Sequence, residues 1–235
     1  MIKLADVSKT YKNGVNALYN INLFIDQSEF VYIIGPTGSG KSTLIRLLDA
    51  EEKPTKGLVE VSGINVGQLR HSKIPFYRRH IGVVFQDFKL LPSKTVFENV
   101  MYALEITNMN PLLARQRVRE VLQLVDLTEK SSHYPNQLSG GQQQRAVIAR
   151  AIANKPRILI ADEPTGNLDP QKSGEIIQLL ERINREEKTT ILMVTHDIGI
   201  VNQYKKRTIA LEAGHIVADM VEGGYIQHES NHSTI

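Results

Sequence analysis

Two stretches of the chain carry residues able to do phosphate chemistry. Gly35-Pro36-Thr37-Gly38-Ser39-Gly40-Lys41-Ser42 meets the pattern Gly-x4-Gly-Lys-Ser. Glycines let consecutive backbone N–H groups turn inward around an anion. A helix starting at the loop adds its positive dipole end. Lys41 can reach the β- and γ-phosphates of a nucleoside triphosphate, and Ser42 can offer Mg²⁺ a hydroxyl. The second stretch, Ile158-Leu159-Ile160-Ala161-Asp162-Glu163, is an apolar run that ends in two carboxylates. Asp162 is expected to hold Mg²⁺ through water, and Glu163 to act as general base on an attacking water.

A third stretch, Leu138-Ser139-Gly140-Gly141-Gln142, also suits an anion. Ser139 and Gln142 have the spacing of a capping box. Two glycines weaken a first helical turn and leave bare N–H groups facing outward. One nucleotide needs only one cradle, so a second, about a hundred residues downstream, has no evident partner within the chain.

These residues need elements to hold them. Residues 30–34 are a continuous apolar run and, with 81–85, are expected as buried strands, while 157–161 and 189–194 also read as strands. Residues 2–7, 18–25 and 58–62 read as shorter β runs, with a turn at Asn13-Gly14 between the first two. Residues 44–50, 142–153 and 171–187 have helical patterns. From about 95 to 130 two amphipathic helices flank a turn at 108–111, a helical lobe inserted into an α/β core. A hairpin over 207–211 and 215–218 closes the pattern. The polar tail 223–235 is expected to be mobile.

Composition narrows the chemistry. The 235 residues suit one sizeable core or a core with an inserted lobe. No cysteine is present, which removes disulfides, thiolate metal sites and cysteine nucleophiles. Aromatics are 6% with no Trp, against a stacking platform for sugars or bases. A net charge of +3 lacks the clustered excess of a nucleic-acid binder. The N-terminus has no apolar signal region, and no run reaches the ~18 apolar residues of a spanning helix. Work at a membrane would need the span from another chain. A guanine reader is set aside because Asn154-Lys155-Pro156-Arg157 has Arg157 where the acid should be. No lid or acceptor site marks a small-molecule kinase.

Taken in order, GPTGSGKS, Gln86, LSGGQ, ILIADE and His196 resemble the motifs of ATP-binding cassette (ABC) ATPases over about residues 2–220. The resemblance implies an α/β P-loop NTPase fold: a RecA-like core with an N-terminal antiparallel β subdomain, about 1–94 and 155–222, and a helical subdomain, about 95–154. It implies ATP and Mg²⁺. The nucleotide contacts would be Tyr11 on adenine and Gly35, Pro36, Thr37, Gly38, Ser39, Gly40, Lys41, Ser42 and Thr43 on phosphate. Gln86 would touch Mg²⁺ or water beside Ser42 and Asp162, and His196 would contact the γ-phosphate beside Glu163. The resemblance also implies an answer to the second cradle. Two copies pack head to tail, and Ser139, Gly140, Gly141, Gln142 and Asp169 of one meet the nucleotide of the other.

The runs IPFYRR (74–79), GVVFQDFKLLP (82–92) and TVFENV (95–100) are similar to those of the FtsE family of bacterial cell-division ATPases. That family implies an FtsX-like integral membrane partner, docking near Gln86–Pro92 and the helical lobe. It also implies an indirect link to cell-wall hydrolases and division proteins. The location implied is the cytoplasmic face of the plasma membrane at the division site. The competing readings are the ATPase of a lipoprotein-release, macrolide-export or amino-acid-import transporter, and a regulatory module that only binds ATP. Intact Glu163 and His196 oppose the last.

Overall fold

The computed structural model describes residues 1–221. The expected tail at 223–235 lies outside them.

The chain builds two sheets. β1 (Ile2–Thr10), β2 (Asn16–Ile25), β4 (Lys56–Val61) and β5 (Ile64–Asn65) form an antiparallel sheet in the order β2-β1-β4-β5. The larger sheet contains β3 (Phe30–Ile34), β6 (Ile81–Val84), β7 (Ile158–Asp162), β8 (Thr190–Val194), β9 (Arg207–Glu212) and β10 (His215–Met220). Its order is β10-β9-β3-β8-β7-β6. All its pairings are parallel except the β9–β10 hairpin.

Every residue of β3 and β8 is buried, because both sheet faces are covered. The period-2 alternation then divides the core. Val31 and Ile33 join one cluster with Leu44 and Leu47 of α1 (Lys41–Leu48) and with Ile2, Leu18 and Val59 of the antiparallel sheet. Phe30, Tyr32 and Ile34 join the other, with α3 (Val96–Glu105), α4 (Pro111–Leu124), α5 (Gly140–Ile152) and α6 (Pro170–Glu187).

Local chemistry starts these helices. Thr95 Oγ1 accepts from Glu98 N at 3.2 Å, while Glu98 Oε2 accepts from Thr95 N at 2.7 Å. That reciprocal box opens α3. Asn110 and Asp169 cap α4 and α6, each ahead of a proline that needs no N–H partner.

Besides four single-turn 3-10 helices, one strand and two α-helices were not expected from the pattern: β5, α2 (Ile74–Arg78) and α7 (Ile198–Gln203). α2 is five residues long and is held by tertiary contact, with Tyr77 OH donating to Leu48 O. The remaining elements fall where the pattern puts them, with boundaries shifted by a few residues; β1, for example, runs on to Thr10.

Parallel pairing decides where function can sit. The C-terminal ends of β3, β6, β7 and β8 lie side by side, with Asp162 in register with Val194 and Val84 with Ala161. The phosphate loop, Gln86, Glu163 and His196 all follow those ends, as ligand sites of open α/β sheets do.

Candidate nucleotide-binding site

The loop after β3 is shaped by close backbone packing. Gly35, Gly38 and Gly40 have φ of 147°, 82° and 106°. A Cβ on Gly35 would meet Leu211 O at 2.1 Å, and one on Gly40 would meet Ala17 O at 2.7 Å. Only glycine allows both the angle and the approach. Gly40 is the N-cap of α1 and makes no side-chain cap, so the first-turn N–H groups remain for a ligand. Lys41 Nζ donates to Gly35 O at 2.6 Å and Pro36 O at 2.9 Å, curling back over the loop. Burial pushes its ammonium pKa down, against the pull of Glu163 and Asp162.

A cleft of about 430 Å³ opens at this loop. Its lining brings together Tyr11, Thr37, Gly38, Gly40, Lys41, Ser42, Thr43, Gln86, Asp162 and Glu163. Gly35, Pro36 and Ser39 stand behind the lining as its scaffold, through the Lys41 bonds and the Gly214 N to Ser39 O bond of 3.0 Å. Tyr11 OH lies 3.2 Å from Thr43 Oγ1, and the Lys9 ammonium sits 5.1 Å from the Tyr11 ring centre. Sequence reasoning missed the wall residues Val15, Asn16 and Ala17. No motif marks them; a strand start folded against the loop brings them there.

The acidic side of the cleft concentrates negative charge. Burial, then the neighbouring Glu163 carboxylate, raises the Asp162 pKa, while Lys41 and Lys89 oppose the rise. Lys89 was not expected here. Glu163 has φ of 49°, a strained angle for a non-glycine residue. Its N–H donates to Val194 O at 3.0 Å, and its Oε1 lies 2.8 Å from His196 Nδ1. His196 is largely exposed and lines a neighbouring cleft of about 380 Å³, which Glu163 shares.

The donors fit Mg²⁺. Ser42, Gln86 and Asp162 present oxygens in one cleft. Among the described residues no cluster of three or more His, Cys, Asp or Glu could hold a metal alone. Mg²⁺ is ordinarily held by one or two carboxylates together with substrate phosphates, not by an all-protein cage.

Ser139, Gly140, Gly141, Gln142 and Asp169 do not line the nucleotide cleft. Ser139 caps α5 reciprocally with Gln142: Gln142 N donates to Ser139 Oγ at 3.4 Å, and Ser139 N to Gln142 Oε1 at 3.0 Å. Asp169 caps α6, accepting from Lys172 N at 2.9 Å, and its Oδ2 pairs with Lys172 Nζ at 2.7 Å. Those contacts hold the Asp169 pKa down. The two helix starts lie close together, since a Cβ on Gly141 would approach Lys172 Cδ at 3.3 Å.

Comparison with known proteins agrees with this geometry. Residues 18–166 match the ABC transporter family. The cell division ATP-binding protein FtsE of Bacillus subtilis is 53% identical over 225 residues, 96% of this chain and 98% of that one. A methionine import ATP-binding protein, MetN 1 of Shouchella clausii, is 42% identical over 93% of this chain, which spans 64% of that relative's length. A dimeric ATP-binding cassette solved in a post-hydrolysis state with ADP and Pi superposes with a TM-score of 0.84 at 42% identity, covering 96% of this chain and all of that one. The chain therefore belongs to the ABC transporter family of ATP-binding, ATP-hydrolysing cassettes and, within it, to the FtsE-type cell-division ATP-binding proteins.

Proposed function

We propose that this ATPase drives an FtsX-like integral membrane protein, and that two copies close head to tail on ATP to do so. The observation that carries the reading is the 53% identity to an FtsE protein along 96% of the chain. Among the described residues no helix is long and apolar enough to cross a membrane, so the reading assigns the span to the partner.

In this reading Tyr11 stacks on adenine, and residues 35–43 with Lys41 hold the phosphates. Ser42, Gln86 and Asp162 would hold Mg²⁺, which when bound would supply positive charge against the phosphates. Glu163 takes a proton from water as its oxygen bonds the γ-phosphorus, and the bond to the β–γ bridging oxygen breaks to give ADP and phosphate. His196 orients the Glu163 carboxylate it touches and contacts the γ-phosphate. Ser139, Gly140, Gly141, Gln142 and Asp169 meet the nucleotide of the second copy. Their absence from the cleft of their own chain supports that arrangement. The helical lobe of about 95–130 and the segment 86–92 receive the membrane partner. The stroke passes through that partner to cell-wall hydrolases, and the complex works at the cytoplasmic face of the plasma membrane at the division site.

Capture of the membrane partner tests this. Glu163→Gln expressed in the native cell and solubilised with ATP should retain a small membrane protein with a large extracellular loop, together with division proteins. The MetN similarity frames the other outcome. A many-span permease with a solute-binding protein would make the chain an importer ATPase.

A further inference from the structure

Between β6 and α3 the chain runs from Phe85 to Thr95 without helix or strand. Its backbone is nevertheless gripped by side chains from three directions. Asn167, in the loop after β7, donates to Gln86 O at 3.3 Å. Arg150, near the C-terminal end of α5, donates from one terminal nitrogen to Lys89 O at 2.7 Å and from the other to Phe88 O at 3.4 Å. Asn99, fully buried on α3, donates to Leu91 O at 3.1 Å and Lys94 O at 3.0 Å, and accepts from Leu91 N at 2.8 Å.

The Arg150 contact differs from the other two. Its guanidinium is half-buried, and burial lowers its pKa without an opposing carboxylate. A desolvated cation that bonds two successive carbonyls is a stiff, directional tether. It grips the segment at Lys89, which is itself held in a left-handed conformation at φ 48°. The Lys89 ammonium lies 3.9 Å from the Phe85 ring centre, and its charge is felt by Asp162. The other end of the tether is a rod. Arg150 lies ten residues along α5 from Gly140, about 15 Å at the helical rise.

We infer that Arg150 is a positioning residue that ties the Gln86–Lys94 segment to α5. Displacement of that segment by the membrane partner is thereby delivered to the Ser139–Gly141 end of the helix. Asn99 sets where the segment sits on the helical lobe; Arg150 decides whether its movement reaches the second cradle. The inference rests on the reading that the partner docks on this segment.

Two measurements test it, one without a partner. Amide hydrogen exchange of the isolated chain should quicken about ten-fold across 87–94 in Arg150→Ala and stay unchanged in α1. Unchanged exchange in the segment would overturn the tether. In the complex with its membrane partner, Arg150→Ala should lower the partner-stimulated kcat about ten-fold, with KM within about two-fold and the basal rate unaltered. Arg150→Lys keeps the charge but offers one nitrogen for two carbonyls, so its stimulation should fall between. It also decides the matter if the alanine variant does not fold. Basal and stimulated rates falling together in both variants, or stimulation kept in both, would overturn the inference. A parental chain that the partner fails to stimulate would contradict the functional reading instead, and the exchange result then decides the tether.

Discussion

The two glycine-rich stretches look alike in sequence and are built in opposite ways. At the first, Gly35 and Gly40 have angles and neighbours that exclude a side chain, and α1 begins without a side-chain cap. At the second, Gly140 and Gly141 lie in ordinary helical backbone behind a complete capping box. A Cβ on Gly140 would meet only Leu168 Cδ2, at 3.5 Å. The first set of glycines is demanded by the fold of its own chain. Gly140 in the second is not, so a reason for it must be sought outside the chain. Under the proposed function, a nucleotide held by another copy would supply that reason: a helix start without side chains can approach a phosphate more closely than a side-chain-bearing one.

The largest effect expected is on turnover. Glu163→Gln should cut kcat by about 10²–10⁴-fold and leave ATP binding in place, read by phosphate release beside nucleotide titration. That variant isolates the two cradles from the chemistry. Next comes the fold demand itself. Gly35→Ala should destabilise the chain by about 3 kcal/mol or more in denaturant titration, through the clash with Leu211 O. Lys41→Ala should weaken ATP binding about 10–100-fold, since it deletes the cation held over the loop. Gly140→Ala should do the reverse of Gly35→Ala, leaving stability unchanged or raising it by about 0.5–1 kcal/mol while impairing ATP-driven association. A loss of stability like that of Gly35→Ala would erase the contrast.

The smallest effect concerns Asp162. Its folded pKa is raised, so the native state is penalised when the carboxylate is ionised. The penalty is full above the folded pKa and absent below the unfolded value, about 3.9. Asp162→Asn should therefore raise Tm slightly at neutral pH, where solvent screens much of the penalty, and the gain should vanish near pH 4. Thermal scans across pH read it directly. A gain that grows on acidification would mean that Asp162 is stabilised as the carboxylate.

Much of this was legible in the sequence because its causes are local. The continuous apolar run of β3 and the largely apolar β7 and β8 announce buried strands, and GPTGSGKS announces the loop that follows one. What escaped depends on tertiary contact. α2 is too short to form alone and exists because Tyr77 reaches Leu48. Val15, Asn16 and Ala17 wall the cleft through the path of the backbone, not through residue type. The Arg150 tether spans about sixty residues of chain between ordinary residue types. No periodicity encodes it.

The central claim is that the second cradle serves another copy, and sedimentation of Glu163→Gln with Mg-ATP tests it most directly. A shift from the 26.4 kDa chain to twice that mass, reversed by the further change Gly140→Ala and absent with ADP, is the predicted result. A species that stays at 26.4 kDa at every ATP concentration, or a dimer indifferent to Gly140, would contradict it.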